Sequence, residues 1–309
     1  MGLMRNMLLW GSQQAWLRDS AMRRPFVRRS VSRFMPGERL EDALGAAQAL
    51  QAQGIATILT RLGENLTDPA EADEVTRHYL EALEAIHAAG LDTQISLKLT
   101  QLGLDFDAER CQANLLSLLQ RADPIGNFIW IDMESSAYVE RTLEQYRNAR
   151  RRSSRVGVCL QTYLRRTAAD LESLLPLGPA IRLVKGAYRE PLEIAFPRKA
   201  DVDESFFALA QRFLTADLQA PGALLAVGTH DARLIGRITG TLAHRPAAAQ
   251  VEFEMLYGIQ PRLQQELVRT GRRLRVLISY GEWWFPWYMR RLAERPANVL
   301  FVARNLLAR

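Results

Sequence analysis

Eight short runs of apolar and β-branched residues recur along this chain, and helical periodicity separates them. Several of the runs are almost continuously hydrophobic, which is typical of strands that are covered on both faces. Strands that alternate with helices through short connections predict a parallel sheet of the α/β class. The eight runs span residues 55–60, 93–99, 128–133, 156–161, 181–185, 224–229, 251–256 and 274–279.

Helical periodicity in the intervals between these runs predicts helices that begin at recognisable start signals. Asp68 followed by Pro69 is typical of a helix start, and Asp203 also precedes a helical stretch. Residues 191–203 form the longest irregular connection, for which a mobile lid and a surface loop are the two interpretations. The predicted helices span residues 71–88, 108–119, 139–149, 204–217 and 261–269.

Eight alternations predict a (β/α)8 barrel of the TIM type. A doubly wound open sheet is the alternative, but no Gly-x-Gly-x-x-Gly follows the first strand run, which disfavours a dinucleotide-binding sheet. We expect residues 1–45 to form a helical N-terminal arm and residues 46–309 to form the barrel.

The N-terminal arm is strongly basic, and it contributes much of the net charge of +6. Residues 1–35 hold seven arginines and one aspartate among apolar and aromatic residues. Such a mixture suits amphipathic helices that attach peripherally to anionic lipid. The alternative is a solvated arm that packs on its own domain or on a partner subunit. Nucleic acid is not an expected partner, since no recognised binding motif accompanies the charge.

The composition indicates the cellular compartment in which we expect the protein. No apolar run approaches the roughly 20 residues that span a bilayer, and no signal peptide is evident. Two cysteines do not make a disulfide framework, which fits a reducing environment. We therefore expect a cytoplasmic protein, with peripheral contact to the inner face of the plasma membrane as a further option.

Polar residues stand at nearly every predicted strand end. In a (β/α)8 barrel the carboxyl ends of the strands converge on one mouth, where active sites lie. The competing interpretation is a set of buried salt bridges that closes the barrel. This predicted ring comprises Arg61, Glu64, Lys98, Asp132, Glu134, Gln161, Arg182, Lys185, Thr229, His230, Glu254 and Tyr280.

Schiff-base, metal and serine chemistries are the alternatives for these residues. Lys98 or Lys185 could form a Schiff base, as in a barrel lyase. The four histidines show no metal-ligand spacing, so we expect no metal site. No Gly-x-Ser-x-Gly is present, and acyl transfer by serine lacks support.

Taken together, these segments resemble the proline dehydrogenase family in its small monofunctional bacterial form. The match runs in family order over about residues 50–300. It rests on Ser-Leu-Lys-Leu at 96–99, Ile-Asp-Met-Glu at 131–134, Arg-Leu-Val-Lys-Gly-Ala-Tyr at 182–188, Gly-Thr-His-Asp at 228–231, Glu-Phe-Glu-Met-Leu-Tyr-Gly at 252–258 and Tyr-Met-Arg-Arg-Leu-Ala-Glu at 288–294. The resemblance implies a distorted (β/α)8 barrel that holds FAD at its mouth.

The resemblance also implies a reaction and a set of roles. L-proline would be oxidised to Δ1-pyrroline-5-carboxylate by hydride transfer from C5 to the flavin N5, and the electrons would pass to a membrane quinone. Lys98, Arg290 and Arg291 would hold the substrate carboxylate. Asp132 would organise that cationic group, and Arg182 would lie beside the flavin N5. The residues that match FAD-lining positions are Met133, Gln161, Val184, Lys185, Gly186, Ala187, Thr229 and His230.

The chain departs from the family pattern around the substrate ring. Leu277 and Trp287 stand where the family has tyrosines, and together with Leu256 they are predicted to line the substrate. Asp231 replaces a preferred asparagine, and Glu254 replaces a preferred glutamine. A hydroxyproline or another cyclic imino acid is therefore the alternative substrate, and an FAD-binding barrel without turnover is the non-enzymatic alternative.

Overall fold

The computed structural model describes residues 31–285, with gaps at 64–65, 67, 217, 219 and 244–249. Eight parallel strands close into a barrel in sequential order, and the last strand pairs with the first. This closure confirms the predicted (β/α)8 fold and rules out the open sheet. The strands are β1 (Ala56–Arg61), β2 (Thr93–Leu97), β3 (Ile129–Ile131), β4 (Val156–Gln161), β5 (Ala180–Val184), β6 (Leu224–Gly228), β7 (Gln250–Leu256) and β8 (Leu274–Tyr280).

Helices occupy each of the seven connections between strands, and a further helix precedes the first strand. No helix within the described ranges is long and apolar enough to cross a bilayer. The helices are α1 (Leu40–Gln51), α2 (Pro69–Ala88), α3 (Ala108–Ala122), α4 (Val139–Arg150), α5 (Thr167–Leu174), α6 (Lys199–Thr215), α7 (Ala232–Ala243) and α8 (Pro261–Arg269).

Helix α1 covers the seam of the barrel. It packs against both β1 and β8, the place that the helix after the last strand takes in a regular barrel. The predicted boundary between arm and barrel at residue 45 falls inside this helix. Residues 1–30 lie outside the described residues, so the helical N-terminal arm stays a prediction.

The two predicted helix starts had different outcomes. Asp68 caps α2, because its side chain accepts a hydrogen bond of 2.8 Å from the backbone N–H of Ala70. The expectation for Asp203 is wrong, because α6 already begins at Lys199 and Asp203 lies within it. The end of the segment 191–203 is therefore helical rather than irregular.

The barrel interior is filled near its floor by apolar side chains. The indole of Trp130 lies in this inner core and donates a hydrogen bond of 2.7 Å to the Gln94 side chain. Gly157 on the neighbouring strand makes room for it, since a β carbon there would overlap the indole ring.

One ion-pair network fits the competing interpretation, in which polar residues form salt bridges that close the barrel. Arg275 on β8 contacts Glu252 on β7 at 2.9 Å and Asp92 at 2.7 Å. Arg275 lies at the second position of its strand and Asp92 directly precedes β2, so the network belongs to the amino-terminal half of the barrel. It ties β7 and β8 to the start of β2 and lies away from the mouth.

Candidate active site

The centre of the mouth is the guanidinium of Arg182, which projects inward from β5 and is buried. Its Nη1 donates hydrogen bonds to Asp132 Oδ1 at 2.8 Å and to Ser96 Oγ at 2.9 Å. Its Nε lies 2.5 Å from Glu254 Oε2. The guanidinium carbon lies 4.5 Å from the centre of the Trp130 ring, so a cation–π contact supports it from below. The partners lie on or directly after three other strands, β2, β3 and β7, and the closed barrel brings them together.

The charges of this cluster do not balance when all its members are ionised. Burial acts to lower the pKa of Arg182, but the carboxylates of Glu254 and Asp132 outweigh it and raise that pKa. Burial raises the pKa of Glu254 to about 7, although Arg182 opposes the shift. One permanent cation thus faces two carboxylates, and the charge of Glu254 changes near neutral pH.

Several buried polar atoms at the mouth have no hydrogen-bond partner among the described residues. They are Gln161 Oε1, Arg182 Nη2 and Ser279 Oγ. An unpaired buried polar group costs free energy, about 1–3 kcal/mol, unless a ligand or water pairs with it. The isoalloxazine ring of FAD presents carbonyl oxygens and ring nitrogens that match such donors and acceptors. The residues present at the mouth therefore fit the predicted cofactor.

The predicted cofactor and substrate residues are neighbours on adjoining strands. Gln161 Nε2 reaches the carbonyl of Met133 at 3.5 Å. His230 Nε2 accepts a hydrogen bond of 2.8 Å from the backbone N–H of Leu256, so Nδ1 carries the proton of the neutral ring. This bond joins a predicted FAD residue to a predicted wall of the substrate pocket. The roles themselves stay predictions.

Lys185 lies in a cluster of four charges beside the mouth. Its ammonium contacts Asp203 at 2.5 Å and Asp231 at 2.8 Å, and Lys199 contacts the same two carboxylates. Hydrogen bonds from Lys185 hold the pKa of Asp231 well below its usual range. The cluster joins the end of β5 to α6 and to the loop before α7. Two ion pairs engage the Lys185 ammonium, which disfavours a Schiff-base role for it.

Gly186 is required by a neighbouring side chain. Its φ is 111°, and a β carbon there would overlap the ring of Tyr163. The described contact therefore explains the glycine without the cofactor. The expectation that Gly186 lets the backbone approach FAD stays a prediction.

Two members of the predicted ring have structural contacts instead. Tyr280 is buried against α2, where its hydroxyl contacts His78 Nε2 at 2.7 Å and burial lowers the His78 pKa to about 4. Its inclusion among the mouth residues is wrong, because alternate residues of a strand face opposite sides and Tyr280 faces the helices. Glu134 accepts hydrogen bonds from the N–H and the hydroxyl of Thr100, and so ties together the segments that follow β2 and β3.

Three of the predicted substrate residues, Lys98, Leu256 and Leu277, lie among the described residues. Lys98 is half-buried and directly follows β2, two residues beyond Ser96. Leu256 and Leu277 are register partners on β7 and β8, and Leu277 packs against the inner core. Glu64, Trp287, Arg290 and Arg291 lie outside the described residues.

Sequence reasoning missed the roles of Ser96 and Trp130. Each precedes a predicted site residue by two positions, Ser96 before Lys98 and Trp130 before Asp132. Since residues two apart on a strand share a face, this spacing is the signal that could have placed both below the site.

The chain matches a family model and several curated proteins over most of its length. The model described as proline dehydrogenase covers residues 43–304. The chain is 40% identical over 283 residues to "Proline dehydrogenase" of Deinococcus radiodurans, covering 90% of each protein. It is 38% identical over 282 residues to "Proline dehydrogenase 1" of Bacillus subtilis subsp. natto, covering 91% of this chain and 92% of that protein.

The barrel also superposes on a solved structure of greater length. Proline utilization A (PutA) from Bdellovibrio bacteriovorus, described as inactivated by N-propargylglycine, matches with a TM-score of 0.78 and 22% identity. The match covers 86% of this chain and 32% of that chain. At this identity the likeness shows a shared fold.

Proposed function

Because the chain belongs to the proline dehydrogenase family of oxidoreductases, we propose that it oxidises L-proline to Δ1-pyrroline-5-carboxylate with FAD as its cofactor. Bound FAD would supply the hydride acceptor. The observation that carries the proposal is the buried Arg182 guanidinium, held by Asp132 and Glu254 at the barrel mouth beside unpaired polar atoms.

In this proposal the substrate carboxylate is bound by Lys98 together with Arg290 and Arg291. A carboxylate held by fixed cations can rotate little, so the ring carbon C5 is oriented toward the cofactor. Binding energy is thereby converted into alignment for hydride transfer.

Arg182 stabilises the negative charge that reduction brings to the cofactor. A guanidinium held by the Asp132 side chain at 2.8 Å and the Glu254 side chain at 2.5 Å needs little reorganisation during the reaction. Asp132 acts by holding this cation in place, and Ser96 contributes a second hydrogen bond to it.

We further propose that the electrons leave to a membrane quinone and that the basic N-terminal arm provides peripheral contact with the cytoplasmic face of the membrane. Seven arginines in residues 1–35 support the contact, because anionic lipid attracts such segments.

A second candidate substrate is a hydroxylated proline or another cyclic imino acid. The register pair of Leu256 and Leu277 favours it, because leucine at 277 leaves out the phenol that the family resemblance implies there. A smaller wall without a hydroxyl has room for a substituent on the substrate ring.

The function is tested by bleaching of the bound flavin under anaerobic conditions. Protein reconstituted with FAD should absorb at about 450 nm and lose that absorbance when substrate is added, because reduction removes the oxidised chromophore. The substrates to compare are L-proline, 4-hydroxyproline and pipecolate. No flavin absorbance after reconstitution, or no bleaching by any of the three, would contradict the proposal.

Substitution of Leu277 by tyrosine is expected to favour L-proline over 4-hydroxyproline. The added ring fills space at the inner face of β8, and such a change in a pocket is worth about 1–3 kcal/mol. The ratio of kcat/KM for the two substrates should therefore rise about tenfold or more. Leu277→Phe is the matched control, because it adds the ring without the hydroxyl. An unchanged ratio in both variants would place residue 277 outside the substrate pocket.

A further inference from the structure

Glu254 is a second carboxylate on the guanidinium of the proposed active site. Its side chain and that of Arg182 are each 4% exposed, and Glu254 Oε2 lies 2.5 Å from Arg182 Nε. Asp132 alone already neutralises Arg182, at 2.8 Å from Nη1. An ionised Glu254 therefore gives the buried cluster a net negative charge, which opposes the arrival of further negative charge on a neighbouring group.

The surroundings of Glu254 favour a carboxylate that changes its charge. Burial raises its pKa, and its inner-face neighbour on β6 is Gly228, which brings no charge. A glutamine at this position would fill the same space but could not bind or release a proton. Among the described residues, the titratable and charged groups that face Glu254 or its cluster include Arg182, Asp132, Cys159, Glu252 and Arg275.

We propose that Glu254 is a positioning residue that couples reduction of the bound flavin to uptake of one proton, through its ion pair with Arg182. The inference rests on the proposed function, since it requires a flavin at the mouth. Glu254 touches neither substrate nor cofactor in this proposal, and it acts by changing the charge that surrounds Arg182.

The step balances in electrons and protons. Two electrons and one proton leave C5 of the substrate as hydride, and the substrate nitrogen releases its own proton as the C=N bond forms. Arg182 then faces additional negative charge on the cofactor. The Glu254 carboxylate forms an O–H bond with a proton from solvent, so that the cluster becomes neutral. Reoxidation by the electron acceptor returns that proton to solvent.

The test is the midpoint potential of the bound flavin as a function of pH in FAD-reconstituted wild type and Glu254→Gln. At pH values about two units below the Glu254 pKa the two proteins should have the same potential, because Glu254 is protonated in both redox states. Above about pH 7 the midpoint potential of the variant should be more positive than that of wild type, and the difference should grow with pH. Glu252→Gln is the matched control: it removes the neighbouring buried carboxylate that pairs with Arg275 and whose charge raises the Glu254 pKa, so it should keep the proton uptake but move it to lower pH.

Two further measurements test the coupling without using the activity of the variants. Wild-type potentials plotted against pH should show a steeper segment near neutrality, and a straight line would contradict the coupling. In cofactor-free protein, the stability of wild type relative to Glu254→Gln should fall as pH rises from about 4.5 to about 7 and then level off, because between these values the folded state binds the Glu254 proton and the unfolded state does not. If both proteins bind FAD and their potentials change with pH in parallel, this inference alone is overturned. If wild type does not bind FAD, the proposed function is overturned.

Discussion

Arg182→Met is expected to lower kcat/KM for L-proline by about 100- to 1000-fold, the effect of losing one preorganised charge at a reacting group. The variant should also lose about 3 kcal/mol of unfolding free energy at neutral pH, because a buried carboxylate is left without its cation. Glu254 and Asp132 are the carboxylates concerned. The stability loss should shrink as pH falls toward about 7, because without the guanidinium that lowers its pKa Glu254 already binds a proton above that pH.

Steady-state kinetics and denaturant unfolding of the cofactor-free protein check the two parts separately. Arg182→Lys is the matched control, because it keeps the charge but cannot reach Asp132, Ser96 and Glu254 with a planar fork. It should retain most of the stability and still lose activity. Wild-type kinetics in Arg182→Lys would show that the guanidinium geometry has no part in the reaction.

Lys98→Met is expected to weaken L-proline binding strongly while leaving the fold intact. An anion that loses one cation of its binding site loses about 2–5 kcal/mol of interaction, which corresponds to a fall in kcat/KM of about 30-fold or more. Lys98 is half-buried at the end of β2, and its aliphatic stem is replaced by a side chain of similar length. Circular dichroism should therefore match that of the wild type.

The control for this variant is Lys199→Met, which removes the same charge from an exposed lysine outside the mouth. Titration of the FAD-reconstituted protein with an unreactive carboxylate analogue of proline gives the affinity without turnover. Equal affinity of wild type and Lys98→Met for the analogue would remove Lys98 from the carboxylate site.

The order and type of the elements could be predicted from the sequence because each strand is buried on both faces. Continuous hydrophobic runs and helical periodicity are local properties, and every described strand overlaps its predicted run. Element ends were less predictable. Asp203 precedes an apolar run, which is typical of an N-cap, but the helix begins four residues earlier, at Lys199.

The site was predictable as a set of positions but not as a set of contacts. Asp132, Arg182 and Glu254 follow from strand ends and from the family resemblance, yet nothing in their spacing shows that two carboxylates share one guanidinium. Tyr280 stands one residue beyond an inward position, and its burial against α2 depends on the strand alternation.

The amino-acid sequence by itself determined the barrel, its strand order and the family, because these depend on hydrophobic period and on motifs contained in short segments. Only the tertiary structure decided that Glu254 and Asp132 meet at Arg182, and that Lys185 is held by Asp203 and Asp231. The physical reason is closure: strands far apart in sequence become neighbours across the barrel interior, where burial and charge pairing set the pKa of each group.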